Sequence, residues 1–180
     1  MDEVAAWNPT SALILTSETA RYEIGMQLIE AGVRRVFFEK PLVAMEGQAH
    51  VTEDDFAKGR EMLNLARERG CETAMVFNYR FFEQTLAAKR IAQEGNFGQV
   101  INATGLVHYA CWSHCIDLIQ HFDGGVTEIA ALSGTVEHSA PIVSIVAPDV
   151  AAALRMENGA TGTLIGTAGM QWQPDDADDG

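Results

Sequence analysis

The sequence is short of positive charge. Its 180 residues hold 12 Lys and Arg against 25 Asp and Glu, a formal net charge of −13. Arg34-Arg35 and Lys89-Arg90 are only pairs, so no basic cluster exists. A field of this sign repels phosphate backbones and argues against nucleic acid as a partner. Cysteine is scarce: Cys71, Cys111 and Cys115 are odd in number and lack scaffold spacing. That excludes a disulfide framework and points to reduced thiols in the cytoplasm. No apolar run approaches a membrane span, and no basic start leads into an apolar stretch, so neither a membrane partner nor a secretory signal is expected. What the chain does have is 47% hydrophobic residues, enough to bury a core over one domain or one and a half.

Periodicity divides the chain near residue 80. Ala12 to Leu15 is a short apolar strand, and Thr16-Ser17-Glu18-Thr19 is rich in helix-capping residues. Ile24, Leu28 and Ala31 recur at helical spacing, Gly32 closes that helix, and Val33 to Phe38 is the next strand. Thr52 to Asp55 caps a second helix whose predicted apolar stripe is Phe56, Leu63 and Ala66, ended by Gly70. Thr73 to Phe77 is a third strand. Strands alternating with helices imply parallel pairing. Beyond Tyr79 the spacing predicts a helix over 83–94, a strand over 98–107 and a helix over 113–122 whose stripe Leu118, Ile119 and Phe122 reads as core. Strand-like runs follow at 127–136, 141–146 and 150–156. Asn158-Gly159 then predicts a hairpin into a run over 161–168. The fold class expected is α/β followed by α+β: a partial Rossmann-like parallel sheet, then a mainly antiparallel sheet with helices on one face.

The most informative run is Val36-Phe37-Phe38-Glu39-Lys40-Pro41-Leu42. A buried strand stops abruptly at a charged pair and a proline, which lacks a backbone donor and turns the chain out of the sheet. Ligands of open α/β sheets bind at the carboxyl ends of the strands. Lys40 is therefore a candidate to contact both a cofactor and a substrate.

Together these segments resemble the Gfo/Idh/MocA oxidoreductases, the glucose-fructose oxidoreductase and inositol dehydrogenase relatives. Thr16-Ser17, Glu30-Ala31-Gly32 and Phe38-Glu39-Lys40-Pro41-Leu42 come first. Phe77-Asn78-Tyr79-Arg80-Phe81, Gly98-Gln99-Val100 and His114-Cys115-Ile116-Asp117-Leu118 follow in the family's order. The resemblance covers about residues 10–168. It implies that residues 1–80 are the C-terminal half of a dinucleotide-binding domain. It further implies that 81–170 are part of a substrate and oligomerisation domain, with 171–180 an acidic disordered tail. The family's Gly-x-Gly-x-x-Gly turn, which holds a pyrophosphate at a helix N-terminus, has no counterpart here. The resemblance thus implies a chain truncated at both ends, starting about halfway through the dinucleotide domain. Relatives often carry an aspartate four residues before the catalytic histidine; here that position is Ala110. Arg21 stands where many relatives have histidine.

Carried over residue by residue, the resemblance implies NAD or NADP as cofactor. Thr16, Ser17, Glu39, Lys40, Pro41, Asn78 and Arg80 would lie against it. Lys40 and His114 would be catalytic. A compact cation favours a developing alkoxide, and an imidazole takes the hydroxyl proton as hydride leaves. Tyr109, Trp112 and Asp117 would face a carbohydrate-like substrate. Each has a plainer reading. Thr16 and Ser17 serve equally as helix caps, Arg80 as an ion-pair partner, Asp117 as a structural carboxylate, and Tyr109 and Trp112 as core aromatics. His108, Cys111, His114 and Cys115 suggest zinc, but structural zinc sites come as two separated pairs and no metal is expected. The reading that follows is an NAD(P)-dependent oxidoreductase acting on a secondary alcohol of a sugar, cyclitol or related metabolite. It would form a homo-oligomer through the C-terminal sheet. The alternative is an inactive fragment or paralogue that keeps only the oligomerisation domain.

Overall fold

The computed structural model describes residues 6–140 and 143–167. The chain divides into two compact units, Met1–Phe77 and Asn78–Gly180. Asn78, Tyr79 and Arg80 therefore belong to the second unit.

In the first unit, strands β1 (Ser11–Ile14), β2 (Arg35–Phe38) and β3 (Glu72–Met75) form a parallel sheet in that order. Helices α1 (Arg21–Glu30) and α2 (Glu53–Glu68) connect them. Strand alternation aims Ile14, Val36 and Phe38 at one face, where they pack with Leu28, Ile29, Met62 and Ala66. Fully burying Phe38, Ile29, Met62 and Val36 is worth about 1.5–3 kcal/mol each. The opposite face leaves Leu13 and Phe37 exposed. Gly32, with φ of 85°, lets the chain leave α1 in the left-handed region.

Thr52 and Asp55 start α2 as a reciprocal capping box. The stripe on α2 differs from the expected one. Its buried positions are Asp55, Gly59, Met62 and Ala66, while Phe56 is exposed and Leu63 half-buried. The helix is rotated because Asp55 is held inward. Its carboxylate accepts from the backbone N–H of Met45 at 2.8 Å and of Thr52 at 2.9 Å. The Met45 bond anchors the loop that follows Lys40-Pro41.

These hydrogen bonds, that from Met45 foremost, hold the Asp55 carboxyl below the usual carboxylate range. A depressed folded value stabilises the protein above the unfolded value of about 3.9 and is lost as pH falls below it. Asp55→Ala is expected to cost about 2 kcal/mol at pH 7. Urea denaturation of the parent and of Asp55→Asn checks the sign: the difference should shrink between pH 5 and pH 3. An unchanged difference at pH 3 would show that Asp55 does not carry this acid sensitivity.

In the second unit, a 3₁₀ turn (Asn78–Phe81) leads into α3 (Glu83–Glu94), on the expected boundaries. Strand β4 (Asn102–His108) runs through a second 3₁₀ turn (Tyr109–Cys111) into α4 (Trp112–Asp123). Strands β5 (Val126–Ala140), β6 (Val143–Met156) and β7 (Thr161–Thr167) complete a sheet of order β4-β7-β6-β5. The three runs read over 127–156 are thus two long strands, with residues 141–142 outside the described ones. Pairing of β5 with β6 and of β6 with β7 is antiparallel, whereas β4 with β7 is parallel. The Asn-Gly turn joins β6 to β7 as expected. Asn158 also ties the turn down, donating to Asp123 Oδ1 at 2.6 Å and to the Val100 carbonyl at 3.3 Å.

The core of this unit lies between the sheet and α4: Ile119, Ala152, Leu154, Met156, Ala160 and Leu164. Gly105 permits the approach. A Cβ there would sit 2.6 Å from Cys115 Sγ and 2.8 Å from Leu164 Cδ1. Helix α4 does not bury the stripe read from its sequence. Ile119 is buried, but Phe122 is exposed, and the other buried positions are His114, Asp117 and Asp123. Among the described residues no helix is long and apolar enough to cross a membrane.

Candidate functional site

The first unit places its candidates at the carboxyl edge of the parallel sheet. Thr16 and Ser17 follow β1 and are exposed; Glu39, Lys40 and Pro41 follow β2 and are half-buried. The Glu39 N–H donates to the Ile14 carbonyl at 3.0 Å, extending the ladder to the point where Lys40 leaves it. The Lys40–Pro41 peptide is cis.

Arg21 binds these two turns together, a role the sequence reading missed. Only 2% exposed, it donates to the Thr16 carbonyl at 2.6 Å and to the Pro41 carbonyl. Burial lowers the Arg21 pKa, opposed by Glu18 and Glu39. A planar fork with several fixed donors can bridge two carbonyls, whereas a histidine offers only two nitrogens. The signal available in the sequence was a lone arginine in the first turn of a helix that otherwise buries small and apolar residues.

Thr16, Ser17 and Lys40 follow the carboxyl ends of β1 and β2, and each carries a side-chain hydrogen-bond donor. The β1–α1 junction, Thr16-Ser17-Glu18-Thr19-Ala20, holds no glycine against which a pyrophosphate could close.

The second unit builds a separate polar group on α4 and the turn at 78–81. His114 is 7% and Asp117 4% exposed. Arg80 Nε and Nη2 each donate to one Asp117 carboxylate oxygen at 2.6 Å, a fork-on-fork pair. Asp117 holds the Arg80 pKa above its ordinary value. The structure therefore engages Arg80 and Asp117 with each other, while Asn78 beside them is exposed. The Tyr79 ring stacks on the His114 imidazole with centroids 4.2 Å apart and planes 12° apart.

Tyr79 Oη and Cys111 Sγ lie 3.6 Å apart, and this contact, then burial, pushes the phenol pKa up. Burial likewise raises the Cys115 thiol, which suits a packed thiol better than a metal ligand. His108 turns its Nδ1 to accept from the Ala110 N–H at 3.1 Å. Among the described residues no three His, Cys, Asp or Glu side chains converge as a metal site would require. Trp112 packs against the core of this unit, close over Gly166. The Tyr109 side chain lies outside the described part of the structure.

No protein-family model matches the chain, and no curated protein matches it. Solved structures do. The WlbA dehydrogenase from Bordetella pertussis in complex with NADH and UDP-GlcNAcA is 21% identical, with a TM-score of 0.72 over 96% of this chain and 53% of that one. Levoglucosan dehydrogenase in complex with NADH and levoglucosan is 20% identical, with a TM-score of 0.70 over 90% of this chain and 48% of that one. An NAD binding oxidoreductase from Klebsiella pneumoniae is 21% identical, with a TM-score of 0.70 over 93% of this chain and 50% of that one. The chain spans about half the length of these structures. At such identities the likeness is one of fold, shared with the matched half of each of these dehydrogenase and oxidoreductase structures.

Proposed function

We propose that this chain is part of an NAD(P)-dependent oxidoreductase of the Gfo/Idh/MocA family that acts on a secondary alcohol of a sugar or nucleotide sugar. The observation that carries the reading is Lys40, leaving β2 at the carboxyl edge of a parallel sheet in a turn clamped by Arg21. The fold is shared with dehydrogenases seen with NADH and with sugar ligands.

A bound nicotinamide would supply the hydride acceptor. Thr16, Ser17 and Lys40 would hold its ribose end, with Glu39 and Pro41 shaping the turn. The Lys40 ammonium would also hold the alcohol oxygen and favour its developing negative charge. His114 would take the hydroxyl proton. Arg80 and Asp117, bound to each other, would support the His114 helix rather than reach for ligand. Trp112 and Tyr109 remain substrate-side candidates by resemblance alone.

Titrating NADH and NADPH against the chain and following nicotinamide fluorescence tests this. Saturable binding is expected, weakened about tenfold in Lys40→Met if that ammonium makes one charge-assisted hydrogen bond. No binding at millimolar cofactor would overturn an active role for this chain.

A second reading is favoured by one feature, the open face of the second unit's sheet. Leu106, Leu132 and Ile165, which register together across the sheet, are all exposed there. Patches of this kind mark interaction surfaces. A paralogue that keeps only oligomerisation would self-associate through this face and bind no cofactor. Light scattering decides the first point, and a clean monomer would argue against it.

A further inference from the structure

We infer that Tyr79 is a positioning residue for His114, holding the imidazole plane through a face-to-face stack. This inference rests on the proton-transfer role proposed for His114. An imidazole on a helix turns about two side-chain bonds, and rotation about the outer one exchanges its nitrogens between opposite directions. A base must present one nitrogen within hydrogen-bond reach of the proton it takes. A ring parallel to within 12° at 4.2 Å leaves little room for that rotation.

Tyr79 is itself held on three sides. Its hydroxyl meets Cys111 Sγ at 3.6 Å, at the start of the helix that carries His114. Its ring lies 4.9 Å from that of Phe82. The next residue, Arg80, is locked to Asp117, one turn beyond His114 on the same face of α4. The short turn at 78–81 thus grips α4 at two adjacent points, one by charge and one by stacking. The phenol stays neutral well into the alkaline range, so it presents its face and its hydroxyl without adding a negative charge beside the base.

The test begins with the unaltered chain. Nuclear Overhauser contacts between the Tyr79 and His114 ring protons are expected, and their absence would overturn the inference. In Tyr79→Leu, the His114 ring protons should lose the upfield ring-current shift and move toward their free-histidine positions. Tyr79→Phe should retain it.

In an NADH-formation assay, Tyr79→Leu should lower kcat about 10- to 100-fold with KM within about twofold, as expected for a misaimed base. Tyr79→Phe should recover kcat to within about threefold, since the ring face is kept. A Phe variant as impaired as the Leu variant would overturn positioning by stacking and assign the effect to the hydroxyl. Should Tyr79→Leu fail to fold, the contacts in the parent and the kinetics of Tyr79→Phe still decide. Unchanged turnover in His114→Asn, with the ring contacts observed in the parent, would instead overturn the proton-transfer role of His114.

Discussion

Replacing His114 by asparagine is expected to slow turnover about 10²- to 10⁴-fold while leaving NADH binding unchanged, the range that a lost general base commands. The side chain is buried on α4, where it is stacked by Tyr79 and sits one turn from Asp117. Asparagine keeps a polar planar group in that space but cannot accept a proton near neutral pH. A base acting in the rate-limiting step also leaves a signature in the pH profile. The acidic limb of the parent's kcat/KM profile should disappear in the variant. Equal turnover in parent and variant would remove His114 from the chemistry and make it a buried structural imidazole. A loss of NADH binding instead would show that the substitution disturbs the fold.

The second large effect concerns stability. Arg80→Ala is expected to lower the unfolding free energy by about 3 kcal/mol, the low end for stripping a partner from a buried carboxylate. Asp117 is 4% exposed and both its oxygens accept from Arg80. The low end applies because the guanidinium is 37% exposed and solvent screens part of the pair. Removing the carboxylate as well, in Arg80→Ala with Asp117→Leu, should regain most of the loss. An apolar side chain in that site carries no desolvation penalty. Urea denaturation of the single and double variants checks both claims. A single variant within about 0.5 kcal/mol of the parent would place the pair among ordinary surface contacts.

Both effects depend on residues far apart in the chain, which explains where sequence reasoning succeeded and where it stopped. The helix at 83–94, the capping box at Thr52 and Asp55 and the Asn158-Gly159 hairpin are local. Each is specified by neighbours within a few positions, and each was legible. The stripe of α2 was not. Phe56 sits at helical spacing from the next apolar residues, yet the Met45 N–H draws Asp55 inward and rotates Phe56 to the surface. The stripe of α4 was legible at Ile119 but not at Phe122, which is exposed while His114, Asp117 and Asp123 are buried.

The candidate site was legible in part. Lys40 announced itself through a buried strand ending at proline. His114 needed the resemblance, because neither it nor His121 on the same helix has a distinctive spacing. Arg21 passed unnoticed as a partner of Thr16 and Pro41, and Arg80 was read as an ion-pair partner without Asp117 being identified as the other half of the pair. Bonds of this kind leave no periodic trace.

What the sequence by itself determined is the alternation of strands and helices, the change of character near residue 80, and the ends of some elements, such as the helix at 83–94. These follow from hydrophobic period, capping and turn chemistry, which act over a handful of residues. Tertiary structure alone decided that β4 lies parallel to β7. It also decided that Arg21 clamps the two turns of the first unit, and that the turn at 78–81 lays Tyr79 on His114. Those outcomes turn on which distant groups meet when two hydrophobic faces are buried, and a buried donor or charge then takes whichever partner that packing brings within reach.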